Sequence, residues 1–228
     1  MSEVRSPRST RFQNSRPGTS DLGLPKKAYM ENKEFIQNYL SEMKSVIGDI
    51  SIEDIDRAIE LLFEAWKNRG QVFTCGNGGS ASTATHFACD LAKTTIVGDK
   101  KRFKAYCLND NIPLTSALIN DEGFDNLFYE QLINLFEKGD ILICISVHGG
   151  AGKDKAGLWS QNLLKAMRYA RDKGGKTIGL SGFDGGPMKE MADACIVVPI
   201  NSTPHVESFH LALAHLICGR LRQKIEGS

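Results

Sequence analysis

One stretch, residues 72–93, constrains the fold of this chain more than any other. It begins as a β-rich run, passes through Gly76-Asn77-Gly78-Gly79-Ser80, and continues as a helix with periodic apolar residues. A glycine-rich turn between a strand and a helix lets a ligand approach the backbone, and the free N–H groups of a helix N-terminus attract anions. The stretch therefore predicts a strand–loop–helix unit with a candidate phosphate-binding loop, although a glycine-rich loop can also be only a tight turn.

The helix behind this loop carries a second signal. His86 and Asp90 are four residues apart, so they share one face of the helix. Such a pair can serve acid–base chemistry or hold a metal ion, and it can equally be a structural surface pair. Its place directly behind a glycine-rich loop favours the functional interpretation.

Composition excludes several classes of protein. The chain has 228 residues, 41% of them hydrophobic, and a net charge of +1, which argues against an electrostatic nucleic-acid or membrane-surface protein. No apolar run is long enough to cross a bilayer, and the start of the chain lacks the apolar segment of a secretory signal. The six cysteines show no CxxC spacing, and several of them lie in apolar runs, where a reduced, buried thiol is the expected state. We expect a cytoplasmic protein.

The chain divides into a tail and one domain. Residues 1–27 contain six basic and two acidic residues and few large apolar ones, so they predict a disordered basic tail. A nucleic-acid role for this tail is an alternative that its charge leaves open. Residues 28–228 predict a single domain that begins with two amphipathic helices, at 30–47 and 51–70, which can pack on the sheet, on a partner subunit or on both.

After the first loop, apolar runs alternate with helical patterns. Further strands are predicted at 103–108, 141–146, 176–181 and 195–199, and helices at 121–136, 160–173, 187–192 and 204–224. Continuously apolar strands separated by helices indicate an α/β fold with a parallel sheet covered on both faces. Ligands of such sheets bind at the carboxyl ends of the strands, where the loops at Gly76, Asp110, Ser146 and Ser181 all open.

These motifs resemble a known family. The strand–Cys-Gly-Asn-Gly-Gly-Ser–helix unit, the glycine-rich loop after Ser146 and the stretch Leu-Ser-Gly-Phe-Asp-Gly-Gly are similar to the sugar isomerase (SIS) domain, and in particular to its phosphoheptose (sedoheptulose 7-phosphate) isomerases. The resemblance covers roughly residues 30–225. It implies a flavodoxin-like parallel β-sheet sandwiched by helices, and a homotetramer with active sites at subunit interfaces.

The resemblance also implies roles for individual residues. Asp90 and His215 match catalytic positions, and His86, Asp90, Glu207 and His215 match positions that hold a metal. Substrate- or phosphate-binding positions fall on Asn77, Gly78, Gly79, Ser80, Asp110, Ser146 and Ser160. Imidazole and carboxylate ligands together suit Zn²⁺.

The chain departs from the family pattern at several of these positions. Asp90 stands where the family has Glu, Glu207 where it has Gln, and Thr94 near an expected Arg. The second loop reads Ser146-Val147-His148-Gly149-Gly150 instead of Ser-Thr-Ser-Gly-Asn-Ser, followed by an insertion up to Ser160. Lys153 and Lys155 in that insertion can supply charge for a phosphate in place of the lost hydroxyl donors, or they can be solvated surface residues.

Two functions are consistent with the sequence. The first is a metal-assisted isomerase that interconverts sedoheptulose 7-phosphate and an aldoheptose 7-phosphate through an enediol, with Asp90 and His215 as the acid–base pair. The second is a non-catalytic SIS protein that binds a sugar phosphate or a partner protein, such as one associated with a replication initiator. The retention of His86, of an acid at position 90 and of His215 favours the enzyme.

Overall fold

The computed structural model describes residues 30–150 and 160–228. All described helices and strands belong to one compact unit, Glu31–Ser228. The predicted tail at 1–27 and the two lysines Lys153 and Lys155 lie outside the described residues.

Five parallel strands form the central sheet, in the order β2-β1-β3-β4-β5. The strands are β1 (Gln71–Gly76), β2 (Lys104–Cys107), β3 (Ile141–Ser146), β4 (Lys176–Gly182) and β5 (Ala194–Val198). This confirms the predicted flavodoxin-like sheet. Strand β2 lies on one side of β1, and β3, β4 and β5 follow in order on its other side. Because all five strands are parallel, the loops that follow them open at one edge.

Helices cover both faces of the sheet. They are α1 (Asn32–Val46), α2 (Ile52–Asn68), α3 (Gly79–Lys93), α4 (Ile112–Asp121), α5 (Leu127–Leu135), α6 (Gln161–Asp172), α7 (Gly186–Met191) and α8 (Thr203–Glu226). Successive strand residues face opposite sides, so Ile141 and Ile143 pack with α2, α3 and α8, whereas Leu142 and Cys144 pack with α5 and α6.

The predicted helix 121–136 is wrong in its first part. Asp121 ends α4, and the next helix starts only at Leu127 after a short 3-10 turn. Gly123 separates the two because its φ of +85° lies outside the helical range. Helix α4 was not predicted from the sequence. It begins where the Asn111 side chain accepts a hydrogen bond from the Leu114 N–H at 3.1 Å.

Helix α2 ends where Arg69 adopts the left-handed conformation, one residue before the predicted end at residue 70. Gly70 donates its N–H to the Ala65 carbonyl at 2.9 Å. A Cβ atom at Gly70 would lie 2.8 Å from the Gly139 carbonyl oxygen, so glycine is required there for close packing.

The two N-terminal helices behave differently. Helix α2 buries one face, which includes Ala58 and Leu62, against the sheet. Helix α1 instead exposes Phe35, Ile36 and Leu40 by 51%, 54% and 60%. None of the helices in the described part of the chain has the length and apolarity needed to cross a membrane.

Candidate active site

The first loop is held in place by its neighbours on both sides. The Asn109 side chain accepts a hydrogen bond from the Gly76 N–H at 3.1 Å and donates one to the Gly76 carbonyl at 3.0 Å. It thus satisfies both backbone groups of Gly76, as the backbone of a neighbouring strand would. Gly78 then takes a φ of +56° just before α3 begins. A residue with a side chain would be strained in this conformation. The loop therefore delivers the N-terminus of α3 to the carboxyl edge of the sheet.

A pair of asparagines joins this loop to the start of α6. The Asn77 amide donates to Asn162 Oδ1 at 3.1 Å and accepts from Asn162 Nδ2 at 2.9 Å. It also donates to Ser160 Oγ at 3.2 Å. Both N–H groups of the Asn77 side chain are thus used within the protein. The side chain fixes the loop, while the backbone N–H groups at the helix start remain the natural donors to an anion.

A cavity of about 130 Å³ lies between the two loops. Its lining residues come from the end of β3, the loops after β1 and β3, the starts of α3 and α6, and α8: Asn77, Ser80, Ile145, Ser146, Val147, His148, Gly150, Ser160 and Glu207. The Ser146 hydroxyl oxygen accepts the Gly150 N–H at 3.2 Å, which closes the second loop on itself. The cavity brings together four of the polar side chains that the sequence predicted for substrate: Asn77, Ser80, Ser146 and Ser160.

A second group of predicted residues meets on the facing sides of α3 and α8. His86 Nε2 lies 3.0 Å from His215 Nε2, and each of these atoms lies 3.4 Å from Asp90 Oδ2. About half of each imidazole is exposed, whereas the Asp90 side chain is only 14% exposed. Three donor atoms from two helices thus converge on one point.

These three donors fit a zinc ion. Tetrahedral Zn²⁺ with ligand bonds of about 2.0–2.1 Å holds its ligand atoms about 3.3 Å from one another. The observed separations of 3.0, 3.4 and 3.4 Å are close to that spacing. Two imidazoles and a carboxylate are also a ligand set that zinc uses, with a fourth position left open.

Asp90 is oriented by Thr94, the residue that follows the last residue of α3. The Thr94 hydroxyl donates to Asp90 Oδ1 at 3.0 Å, which leaves Oδ2 facing the two histidines. The carbonyl of Thr94 in turn accepts from the Arg222 guanidinium at 3.1 Å, which ties the end of α3 to α8. Thr94, at a position where the sequence analysis noted only a missing Arg, therefore orients the candidate catalytic carboxylate.

Glu207, the expected fourth metal ligand, does not join this group. Its carboxylate packs against Gly79 at the start of α3, where a Cβ atom on the glycine would lie 2.4 Å from Glu207 Oε1. Eight residues of helix separate Glu207 from His215, a rise of about 12 Å. The helix therefore carries the two side chains to different places, Glu207 to the cavity and His215 to the histidine–aspartate group.

Asp110 lies at a third position. Its Oδ1 accepts a hydrogen bond from the Thr85 hydroxyl at 2.8 Å. Thr85 is the residue directly before His86 in α3. Asp110 is exposed. It is thus near the candidate metal ligands along α3 but not among the residues that line the cavity.

Two other histidines of α8 have structural contacts. The His205 ring stacks on Tyr39 with centroids 4.0 Å apart and lies 3.2 Å from the Tyr39 carbonyl, which fastens α1 to α8. His210 Nε2 lies 3.1 Å from the Ser181 carbonyl, and burial lowers the pKa of His210 to about 4. A neutral His210 then donates Nε2–H to that carbonyl at physiological pH.

Sequence reasoning missed the partners that hold the site together. Asn162, Asn109 and Thr85 each bond to a predicted site residue or to its loop. Asn162 carries the clearest signal, since a polar amide in the first turn of a helix after a glycine-rich loop is a candidate for a loop contact.

The comparisons with known proteins agree with this architecture. Residues 34–182 match the SIS domain, so the class of the protein is that of SIS-domain proteins. A phosphoheptose isomerase from Helicobacter pylori is 35% identical over 196 residues, which cover 86% of this chain and 93% of that protein. The lincomycin biosynthesis protein LmbN from Streptomyces lincolnensis is 40% identical over 187 residues, covering 80% of this chain and 67% of that protein.

Among solved structures, phosphoheptose isomerase GmhA from Neisseria gonorrhoeae superposes with a TM-score of 0.73 at 28% identity, covering 84% of this chain and 98% of that one. The chain therefore belongs to the phosphoheptose isomerase branch of the SIS-domain family. The resemblance inferred from the sequence motifs is confirmed.

Proposed function

We propose that this protein is a phosphoheptose isomerase, which interconverts sedoheptulose 7-phosphate and an aldoheptose 7-phosphate. One observation carries the proposal: His86, Asp90 and His215 converge within 3.4 Å of one another on α3 and α8. A sugar-binding protein without catalysis has no need for an acid, a base and a candidate metal site at one point.

The reaction moves one proton between adjacent carbons. In the proposed mechanism Asp90 takes the proton from the carbon next to the carbonyl, and the electron pair of that C–H bond forms the enediol double bond. His215 gives a proton to the carbonyl oxygen and later takes one from the neighbouring hydroxyl. Asp90 returns its proton to the former carbonyl carbon, so that no other reactant is needed.

Zinc is the metal that we assign to this centre. When bound, Zn²⁺ would act as a Lewis acid that polarises the oxygens of the substrate. His86 and His215 would hold it through Nε2, and Asp90 through Oδ2. With the metal bound, the proton transfers assigned to Asp90 and His215 would use the remaining atoms of the two groups, Oδ1 and Nδ1. Asp is about 1.5 Å shorter than Glu, and the Thr94 hydroxyl compensates in part by fixing the direction of the Asp90 carboxylate.

We assign the cavity between the loops as the binding site for the phosphorylated end of the sugar. The residues that we assign to substrate are Asn77, Gly78, Gly79, Ser80, Asp110, Ser146, Lys153, Lys155 and Ser160. Hydroxyl groups and backbone N–H groups at the start of α3 are suitable donors to phosphate oxygens. We further propose a cytoplasmic homotetramer, in which the exposed apolar face of α1 packs against another subunit.

The test is an isomerisation assay on sedoheptulose 7-phosphate, with other phosphorylated ketoses of different chain lengths for comparison. Asp90→Asn should lower kcat at least about 100-fold, because it removes the base. Asp99→Asn, at an exposed aspartate, is the matched control and should retain activity. A protein that binds the sugar phosphate but turns over none of these ketoses would support the non-catalytic alternative.

A further inference from the structure

The charge balance of the cavity raises a problem for a phosphorylated ligand. Among the described residues that line the cavity, two have ionisable side chains, His148 and Glu207. Glu207 brings a carboxylate to the start of α3, and a phosphate that enters the same cavity brings further negative charge. Two anions close together repel each other unless a cation lies nearby. Of the described lining residues, His148 is the one that can carry a positive charge.

The backbone around His148 is held firmly on both sides. The Val147 carbonyl accepts the Gly182 N–H at 2.9 Å, and the Gly149 carbonyl accepts the Met188 N–H at 2.9 Å. Gly149 has a φ of +60°, and a Cβ atom there would lie only 1.8 Å from the Gly185 carbonyl oxygen. The second loop is therefore fixed to the segment after β4, and His148 lies between the two fixed points.

The His148 ring is also placed by a neighbour. It packs against the Phe183 ring, with centroids 4.3 Å apart and an angle of 45° between the planes. Phe183 has a φ of +56°, a left-handed conformation that a bulky residue rarely adopts. Such strain persists where the surrounding structure imposes it, and it is concentrated at functional sites. The structure thus maintains a strained aromatic residue beside a histidine at the wall of the cavity.

We propose that His148 is a specificity-determining residue, whose protonated imidazole binds the phosphoryl group of the substrate while Phe183 orients the ring. This inference rests on the proposed function and deepens it, since it names a residue in the described part of the chain that helps to distinguish a phosphorylated sugar from its unphosphorylated counterpart. It also accounts for the unusual second loop, in which a charged donor replaces the hydroxyl donors that the sequence lacks. A charge-assisted hydrogen bond is roughly twice as strong as a neutral one, so one imidazolium can replace more than one hydroxyl.

The test compares ligands that differ only in phosphate. Calorimetry would measure the affinity of the full-length protein for sedoheptulose 7-phosphate, sedoheptulose and inorganic phosphate. For His148→Gln, which removes the charge, we expect binding of the sugar phosphate and of inorganic phosphate to weaken about 10- to 100-fold. Binding of sedoheptulose should change by less than about twofold.

Two further variants separate charge from shape. His148→Lys keeps a positive charge and should stay within about fivefold of the parent protein for both phosphate ligands. Phe183→Leu keeps the charge but removes the ring that orients it, and should weaken both by about 2- to 10-fold. Thermal melting of each variant would show that the fold is retained.

The outcomes are distinct. Unchanged phosphate affinity in His148→Gln, or an equal loss for sedoheptulose, would overturn the proposal. If the parent protein binds inorganic phosphate in a His148-dependent way but does not isomerise any heptose phosphate, the proposed function fails and this inference stands. If the parent isomerises the heptose phosphate and His148→Gln binds it equally well, the inference fails and the proposed function stands.

Discussion

Asn77 and Asn162 exchange two side-chain hydrogen bonds, at 3.1 and 2.9 Å, although 85 residues separate them in the sequence. Asn162 is completely buried at the start of α6, and its Oδ1 also accepts the Leu163 N–H at 2.9 Å. The pair therefore sets the distance between the first loop and the start of α6, on which the cavity depends.

The first prediction concerns this pair. Asn162→Ala should lower kcat/KM about 10- to 100-fold, because a displacement of about 1 Å in a substrate-binding group can cost about a hundredfold in rate. It should also destabilise the fold by about 1–3 kcal/mol, since the Asn77 amide loses buried partners. Asn120→Ala is the matched control, because Asn120 is exposed and its side chain donates to Asp121, its neighbour in the sequence. Equal activities of the two variants would show that the pair is structural and does not position the loop.

The second prediction concerns zinc. A chelator should abolish isomerase activity and added zinc should restore it, because the metal would polarise the substrate oxygens. His86→Ala should lower zinc affinity at least about 10-fold, as measured by competition with a zinc-sensitive dye. Glu207→Gln should change zinc affinity much less, since Glu207 lies at Gly79 and not in the histidine–aspartate group. Full activity in verified metal-free protein would contradict the metal proposal.

The third prediction concerns the exposed face of α1. Leu40→Asp and Ile36→Asp together should convert the proposed tetramer into smaller species, because charges at apolar contact positions cannot be buried without a large cost. Light scattering at micromolar concentration measures the change. Gln37→Asp adds a charge to the same helix, at an exposed position of the described chain, and should leave the assembly intact. A parent protein that scatters only as a 25.1 kDa species would refute the oligomer.

The fourth prediction concerns the inserted segment. Lys153→Ala together with Lys155→Ala should weaken binding of the phosphorylated sugar more than that of the unphosphorylated sugar, because an ammonium group acts on phosphate as a point charge. Calorimetry with both ligands checks this. Equal losses for both would show that the lysines do not recognise phosphate. Since the two lysines lie outside the described residues, this prediction rests on the sequence.

The sheet could be predicted from the sequence because its strands are continuous apolar runs, as in Ile141–Ser146, where every residue is buried. Helix α4 could not be predicted in the same way. None of its residues is buried, so its sequence has no apolar periodicity that would mark a face packed on the core. Its capping residue, Asn111, was the available signal.

The site was predictable where the chemistry is local and unpredictable where it depends on packing. The spacing of His86 and Asp90 is visible in the sequence, and His215 joined them through the family resemblance. The position of Glu207 was not predictable, because a motif does not determine which way a side chain turns from its helix. Likewise, no local pattern links Asn77 with Asn162, since amide pairs between distant segments form only when the chain has folded.

The close approach of Gly149 to Gly185 has a consequence for how this protein can evolve. A side chain on Gly149 would collide with the Gly185 carbonyl, and both glycines have positive φ angles. Because the colliding atom is a backbone oxygen, no substitution at residue 185 can make room for a side chain at residue 149. Descendants of this sequence must therefore inherit Gly149 unaltered, and new ligand preferences must arise from changes at other positions.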